Sequence, residues 1–501
     1  MDSVSSGLYD RAIFLMLDGA RADVFHDLLR SGSLPNISRV VVERGAATTA
    51  TTVFPSVTGV AYAPYLTGCF PWRTNLPGVK WLDRHLYAHR AMSVSRFRNY
   101  TGPGHFMMNR DLSRDVTTLF ELLHPSLNIL GTISRGTGVR RNAFLLRRVP
   151  WALRFLMTGD WAPIDARANK LLVRAAARRH QRFIFHVNLQ VDEHSHIDGP
   201  FSPRVFQGYR AFDRAVGAMA ARLRAAGLFD QTLLTVGSDH GHSSVHEHFD
   251  LELFFERRGM KTLYYQNALR RWFDCDVAVM VGGMGMGHVY LRGAGWDVEE
   301  AGEERLARLP WVVNDLLAEE AVDVVAWQTV SGAVAVRSKK GSALISLGEQ
   351  CVGYQVGTAD PFGHPPLPAT MSYREALELT KDSTYPDGIV QIAQIFACSR
   401  AGDVIVSATP GFDLRLHGLR HPYRSAHGSL RREHMLVPLA MSHPFRTNAV
   451  RTADVFPTIL GLLGERWPGN IDGNYLASAA AEPMAAFPKT TSTRETSPSA
   501  V

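Results

Sequence analysis

A chain of 501 residues, 46% hydrophobic and 20% charged, is globular in composition and long enough for two to four domains or one large core with insertions. Its net charge of +7, with the basic excess gathered between Arg135 and Arg182, fits either an Arg-favouring genome or attraction to anionic substrates and surfaces. Its four cysteines, Cys69, Cys275, Cys351 and Cys398, show no CxxC spacing; this excludes a zinc ribbon or a disulfide framework and suits reduced thiols.

The first apolar run, AIFLML at 12–17, reads as a buried strand running into Asp18-Gly19, and RADVFHDLLRSG behind it reads as a helix. The run is too short for a signal peptide and ends in an acid. No later stretch approaches the roughly 18 apolar residues of a membrane span. A cytoplasmic protein is expected. Next come AATTATT at 46–52 and FPSVTGVAYAPYLTG at 54–68, hydroxyl-rich and leading into a small apolar run. VPWALRFLMTGDW at 149–161 sets an Arg among Trp, Phe, Leu and Met. It suits an interfacial segment, although such a stretch is more often a helix on a core with its Arg stem reaching outward.

Two further strand patterns follow, FIFHVNLQV at 183–191 running into Asp192 and TLLTVGS at 232–238 running into Asp239. Between them the pattern at 205–227 predicts a helix closed by Gly227. From about 251 to 398 the character changes to short strands and turns, as in GMGMGHVYL, VVAWQTVSGAVAVRS and ALISLGEQCVGYQV, and DVIVSA at 403–408 is another strand. Strands alternating with helices predict an α/β fold with a largely parallel central sheet flanked by helices. The expected organisation is a catalytic core at 8–250 and 399–475, an α+β insertion or cap at 251–398, and a disordered Ser/Thr/Pro-rich tail at 482–501.

Ligands of parallel sheets gather at the carboxyl ends of strands. Asp18, Asp192 and Asp239 each sit at such an end, although an Asp there is also an ordinary turn former or helix cap. VDEHSHIDG places Asp192 and His196 four apart, so one helical turn carries both on one face. SDHGH sets Asp239 beside His240, and SAHGS flanks His427 with small residues. Three Asp and three His suit zinc or manganese and suffice for two ions with open positions. His194, His242, His246 and His248 crowd the same segments; His194 and His242 also suit a supporting place beside the ligands.

These motifs make the chain resemble the alkaline phosphatase superfamily, and within it the type I phosphodiesterase / nucleotide pyrophosphatase branch. The residues that carry the resemblance are Asp18 in FLMLDGAR, Thr58 in FPSVTG, the pair Thr67-Gly68, Asp192 and His196, Asp239-His240, and His427 in AHGS. HMLVPLAM at 434–441 and TADVFPTILGLLG at 452–464 resemble the closing core of that family. The resemblance implies an alkaline phosphatase-like fold. It also implies a nucleophile at a helix N-terminus, nine residues before the Thr of the TG pair, which is Thr58.

One ion would be held by Asp18, Asp239 and His240 together with the Thr58 oxygen, the other by Asp192, His196 and His427, with zinc favoured and manganese the alternative. The chain departs from the branch at two places. Val53 precedes Phe-Pro where nucleotide pyrophosphatases carry their Thr, and Val79 falls where they carry an Asn that holds phosphate. Lys80 and Asn75, with Arg73 nearby, are candidate phosphate contacts, unless that loop is ordinary surface.

The implied function is hydrolysis of phosphodiester or pyrophosphate bonds through a phosphothreonine. A phosphomonoesterase or phosphotransferase of the same superfamily is the alternative, and a non-catalytic anion- or membrane-binding relative is the reading from another class. A sulfatase would need Cys or Ser in a CxPxR-type motif, and a phosphosugar mutase ordinarily a Ser nucleophile. The partner expected is a phosphorylated small molecule, nucleotide-linked or other, with no nucleic acid; the basic 135–182 stretch, which includes the 149–161 segment, is what speaks for membrane contact. Natural substrate and oligomeric state are not legible.

Overall fold

The structure, a computed structural model, describes residues 7–90, 93–138, 142, 160–265, 274–415, 423–445 and 449–476. Most of the 149–161 segment and the whole 482–501 tail lie outside the described residues.

The strand Arg11–Leu17 is buried along its full length, which its unbroken apolar run requires of a strand covered on both faces. It lies between Phe183–Asn188 and Thr232–Gly237, parallel to both. The register pairs Leu17 with Asn188 and Met16 with Gly237, so the three carboxyl ends are level. The sheet has seven strands, in the order Val450–Arg451, Ala46–Thr51, Leu436–Met441, Thr232–Gly237, Arg11–Leu17, Phe183–Asn188, Ser126–Ile129. Among these only Leu436–Met441 runs against its neighbours. This is the largely parallel α/β sheet that the alternation of strands and helices predicts.

The long amphipathic helix is Pro203–Ala225, capped by the Ser202 hydroxyl on the Val205 N–H. Gly227 follows with a φ of +66°, the left-handed geometry that ends a helix. One expected element changes type. Residues 183–191 are not a single strand: the strand ends at Asn188, and Gln190–Asp198 is helix. The cause is Asp165, on the helix Ala162–Ala176, whose carboxylate accepts the backbone N–H groups of Leu189 and Gln190 at 2.9–3.2 Å and so starts the new helix.

A second sheet of nine strands runs from Thr370–Ser372 at one edge to Thr262–Leu263 at the other. Val404–Ala408, beyond the stretch expected to form the insertion, is one of its inner strands, between Val322–Gln328 and Met286–Leu291. A small three-stranded sheet has Ser243–His248 at its centre with Gly411–Asp413 and Ser425–Ala426 on either side. It ties the chain just after His240 to the chain just before His427.

Candidate active site

Asp18 leaves the central strand with its N–H on the Asn188 carbonyl, and Asp239 follows the adjacent strand by two residues. Asp192 and His196 lie one turn apart on Gln190–Asp198, with Asp192 Oδ1 3.6 Å from His196 Nε2. His240 Nε2 stands 3.3 Å from Asp239 Oδ2 and 3.6 Å from Asp18 Oδ1. His427 arrives from the strand Ser425–Ala426 and lies flat on the His240 ring, with centroids 3.6 Å apart. All six side chains are buried.

The ligand-competent face of each ring is set by its other nitrogen. Nδ1 of His196 faces the Ser425 carbonyl, that of His240 the Gly241 carbonyl and that of His427 the Ser56 carbonyl, at 2.9–3.1 Å. A carbonyl only accepts, so Nδ1 carries the proton and Nε2 turns a lone pair inward.

The grouping differs in one respect from the expected two sets. Asp18, Asp239 and His240 converge as one set. Asp192 and His196 converge with His242, whereas His427 converges with Asp192 and His240. The Ser56 carbonyl and the His240 ring together fix the His427 ring, and its Nε2 is 4.0 Å from Asp192 Oδ1. Asp192 is thus the shared corner of two groups.

The electrostatics ask for cations. Burial, then the charges of Asp239 and Asp192, push Asp18 well above the ordinary carboxylate range, and burial with Asp192 pushes Asp239 up to about 7. Burial acts on Asp192 in the same direction, but His196, His242 and His240 outweigh it and its carboxyl falls below the usual range. Burial holds His240 down to about 3 and His427 well below its ordinary value, so both are neutral. Among the described residues no Lys or Arg pairs with these three acids, and Asp239 Oδ2 is buried without a hydrogen-bond partner. Buried carboxylates, neutral imidazoles and an orphaned oxygen fit divalent metal ions.

Thr58 lies in a run of turns, five residues before the helix Ala63–Thr67, rather than at that helix's first turn. Its Oγ1 is 3.0 Å from His240 Nε2 and 3.4 Å from Asp18 Oδ1. From Thr51 to Pro71 it is the one residue that is not buried. Val53, by contrast, belongs to a hydrophobic cluster with Phe54, Ile392 and Met435. The TG pair is a helix end: Thr67 Oγ1 donates back to the Ala63 carbonyl, and Gly68 takes φ +69°.

The two candidate substrate contacts are placed differently. Asn75 Oδ1 accepts from the Cys398 thiol and the Ser399 hydroxyl, turning the side chain toward that segment. Lys80 is buried in the strand Lys80–Leu82, where it feels the like charge of Arg415 and the opposite charge of Glu252. Burial, with Arg415 adding to it, lowers its ammonium to about 7.

Several supporting residues escape sequence reasoning. The Tyr62 hydroxyl donates to Asp18 Oδ2 and the Tyr65 hydroxyl to the Ser238 carbonyl at 2.7 Å. Both belong to the small apolar run after Thr58. A tyrosine among buried small residues, needing a partner for its hydroxyl, is the signal that could have found them.

A family model described as type I phosphodiesterase / nucleotide pyrophosphatase matches residues 12–310, more than half of the chain. No curated protein sequence matches. Among solved structures, murine ectonucleotide pyrophosphatase / phosphodiesterase 5 is similar at 12% identity and a TM-score of 0.54, over 93% of this chain and 97% of that one. It has also been solved as an inactive threonine-to-alanine variant in complex with AMP. The human protein of the same name gives 13% identity and a TM-score of 0.53 over the same shares. At such identities the likeness speaks for the fold. With the family match, the chain belongs to the type I phosphodiesterase / nucleotide pyrophosphatase family of the alkaline phosphatase superfamily and is a phosphoric ester hydrolase.

Proposed function

We propose that the protein cleaves phosphodiester or pyrophosphate bonds of a small phosphorylated substrate, with Thr58 as nucleophile. The observation that carries this is the position of Thr58 Oγ1, against His240 and Asp18 and open to solvent in an otherwise buried loop. The murine relative's inactive variant, which exchanges threonine for alanine, supports a threonine in this role.

In the proposed cycle the Thr58 hydroxyl gives its proton to solvent and Oγ1 bonds to phosphorus as the bond to the leaving oxygen breaks; that oxygen departs with its electron pair and takes up a proton from solvent. Water then cleaves the phosphothreonine and restores the hydroxyl. Two divalent cations, favoured as zinc, would lower the hydroxyl's pKa and offset the charge that builds on the phosphoryl oxygens. Asp18, Asp239 and His240 would hold one of them, and Asp192, His196 and His427 the other. The chain's own part is orientation: Tyr62 fixes Asp18, and backbone carbonyls fix the three imidazoles.

A substrate panel tests the reading. The metal-loaded enzyme is expected to hydrolyse bis-aryl phosphate faster than aryl phosphate. Thr58→Ala should lower kcat by at least on the order of 10³-fold, with metal content unchanged. Full activity in that variant would place the nucleophile elsewhere; faster monoester turnover would favour the phosphomonoesterase alternative.

A further inference from the structure

A fourth imidazole, His242, meets Asp192 and differs from the other three. Its Nε2 is 2.9 Å from Asp192 Oδ1 and its Nδ1 is 3.0 Å from Ser425 Oγ. A carboxylate only accepts, so Nε2 carries the proton, and the Ser425 hydroxyl, able to donate, serves Nδ1. This is the tautomer opposite to that of His196, His240 and His427, and it leaves no lone pair aimed at the cluster.

Spacing agrees with this. Two ligand atoms about 2.0–2.1 Å from one ion at a tetrahedral angle stand about 3.3 Å apart. The pairs His240–Asp239, His240–Asp18 and His196–Asp192 are 3.3, 3.6 and 3.6 Å apart. His242–Asp192 is instead at hydrogen-bond length. Ser425 serves both sides, since its carbonyl accepts from His196 Nδ1 while its hydroxyl meets His242.

We propose that His242 is a positioning residue: it donates from Nε2 to Asp192 Oδ1, is anchored by Ser425, and orients the carboxylate for the ion shared with His196 without binding that ion itself. The inference rests on the reading that Asp192 and His196 hold a divalent cation.

The test is calorimetric titration of zinc into chelator-stripped wild type, His242→Ala, His242→Gln, Ser425→Ala and Asp192→Asn, with folding checked by circular dichroism. Wild type is expected to bind two ions. His242→Ala should also bind two, one of them about 10–100-fold more weakly. The Gln amide N–H should recover much of that loss. Ser425→Ala, which keeps the imidazole, should weaken the same ion to a lesser degree, and it carries the test should His242→Ala not fold.

Loss of one ion at every concentration in both His242 variants would make His242 a ligand and overturn the proposal, as would unchanged affinity in His242→Ala and Ser425→Ala. Asp192→Asn separates this failure from failure of the underlying reading. If wild type binds no ions, or Asp192→Asn binds both with wild-type affinity, the two-metal reading falls and the inference with it.

Discussion

Gly19 gives the cluster its room. It follows Asp18 with φ +71°, a conformation L side chains rarely adopt, and a Cβ there would meet His242 Nε2 at 2.7 Å and Asp192 Cα at 2.8 Å. The second contact is backbone and cannot swing aside. Gly19→Ala therefore combines about 1–2 kcal/mol of backbone strain with displacement of Asp192. The expected result is a folded protein with at least about tenfold weaker metal binding and a matching fall in kcat/KM, read by titration and steady-state kinetics. Wild-type values would mean that the Asp192 helix yields freely. At this scale the sequence says much about Asp18, Asp239 and His240, because each ends a buried strand or adjoins a residue that does. It says little about His242, whose tautomer depends on Ser425, 183 residues away.

Two elements of the second sheet's part of the chain reach into the site. The helix Gly388–Gln394 grips Phe54 from both sides: Gln391 Oε1 accepts the Phe54 N–H at 3.1 Å, and Gln394 Nε2 donates to the Phe54 carbonyl at 2.7 Å. Gln394 Oε1 also accepts the Trp72 N–H, and Gln391 Nε2 donates to Asp387, which holds the buried Arg451. The turn joining Val277–Gly282 to Met286–Leu291 grips His427, whose N–H meets the Gly283 carbonyl and whose carbonyl accepts the Gly285 N–H. The sequence shows a run of short strands and turns here and suggests a cap. That the same stretch braces the loop before Thr58 and the His427 backbone is invisible in it, because neither contact has a local pattern. Gln394→Ala leaves the buried Phe54 carbonyl unpaired, about 1–3 kcal/mol, and frees the partly buried Trp72 N–H at a smaller cost. Since Phe54 precedes Thr58 by four residues, kcat should fall about tenfold while zinc stoichiometry holds. A parallel loss of metal would mean that the helix braces the whole cluster rather than the loop.

Across the whole molecule the six residues proposed as ligands come from four stretches far apart in sequence: Asp18, the 192–196 turn, the 239–240 pair and His427. The level carboxyl ends of three adjacent strands deliver the first three, and the small three-stranded sheet delivers the fourth. Alternating strands and helices made the first sheet legible; the three-stranded sheet, built from segments about 180 residues apart, was not. Without metal this convergence opposes folding, since burial and mutual repulsion raise Asp18 and Asp239. A cation that binds the folded chain alone stabilises it by RT ln(1 + [L]/Kd), about 2.7 kcal/mol at one hundred times Kd. Chelation should therefore lower the unfolding temperature by several degrees, and added zinc or manganese should restore it. Thr58→Ala should show a nearly unchanged metal-dependent shift, because it keeps the six acids and imidazoles proposed to hold the ions and loses only a neutral hydroxyl. Asp192→Asn should show a much smaller one, because it removes the corner that two of the groups share. An unfolding temperature indifferent to chelator and metal, measured by differential scanning fluorimetry, would mean that the acids are accommodated without cations.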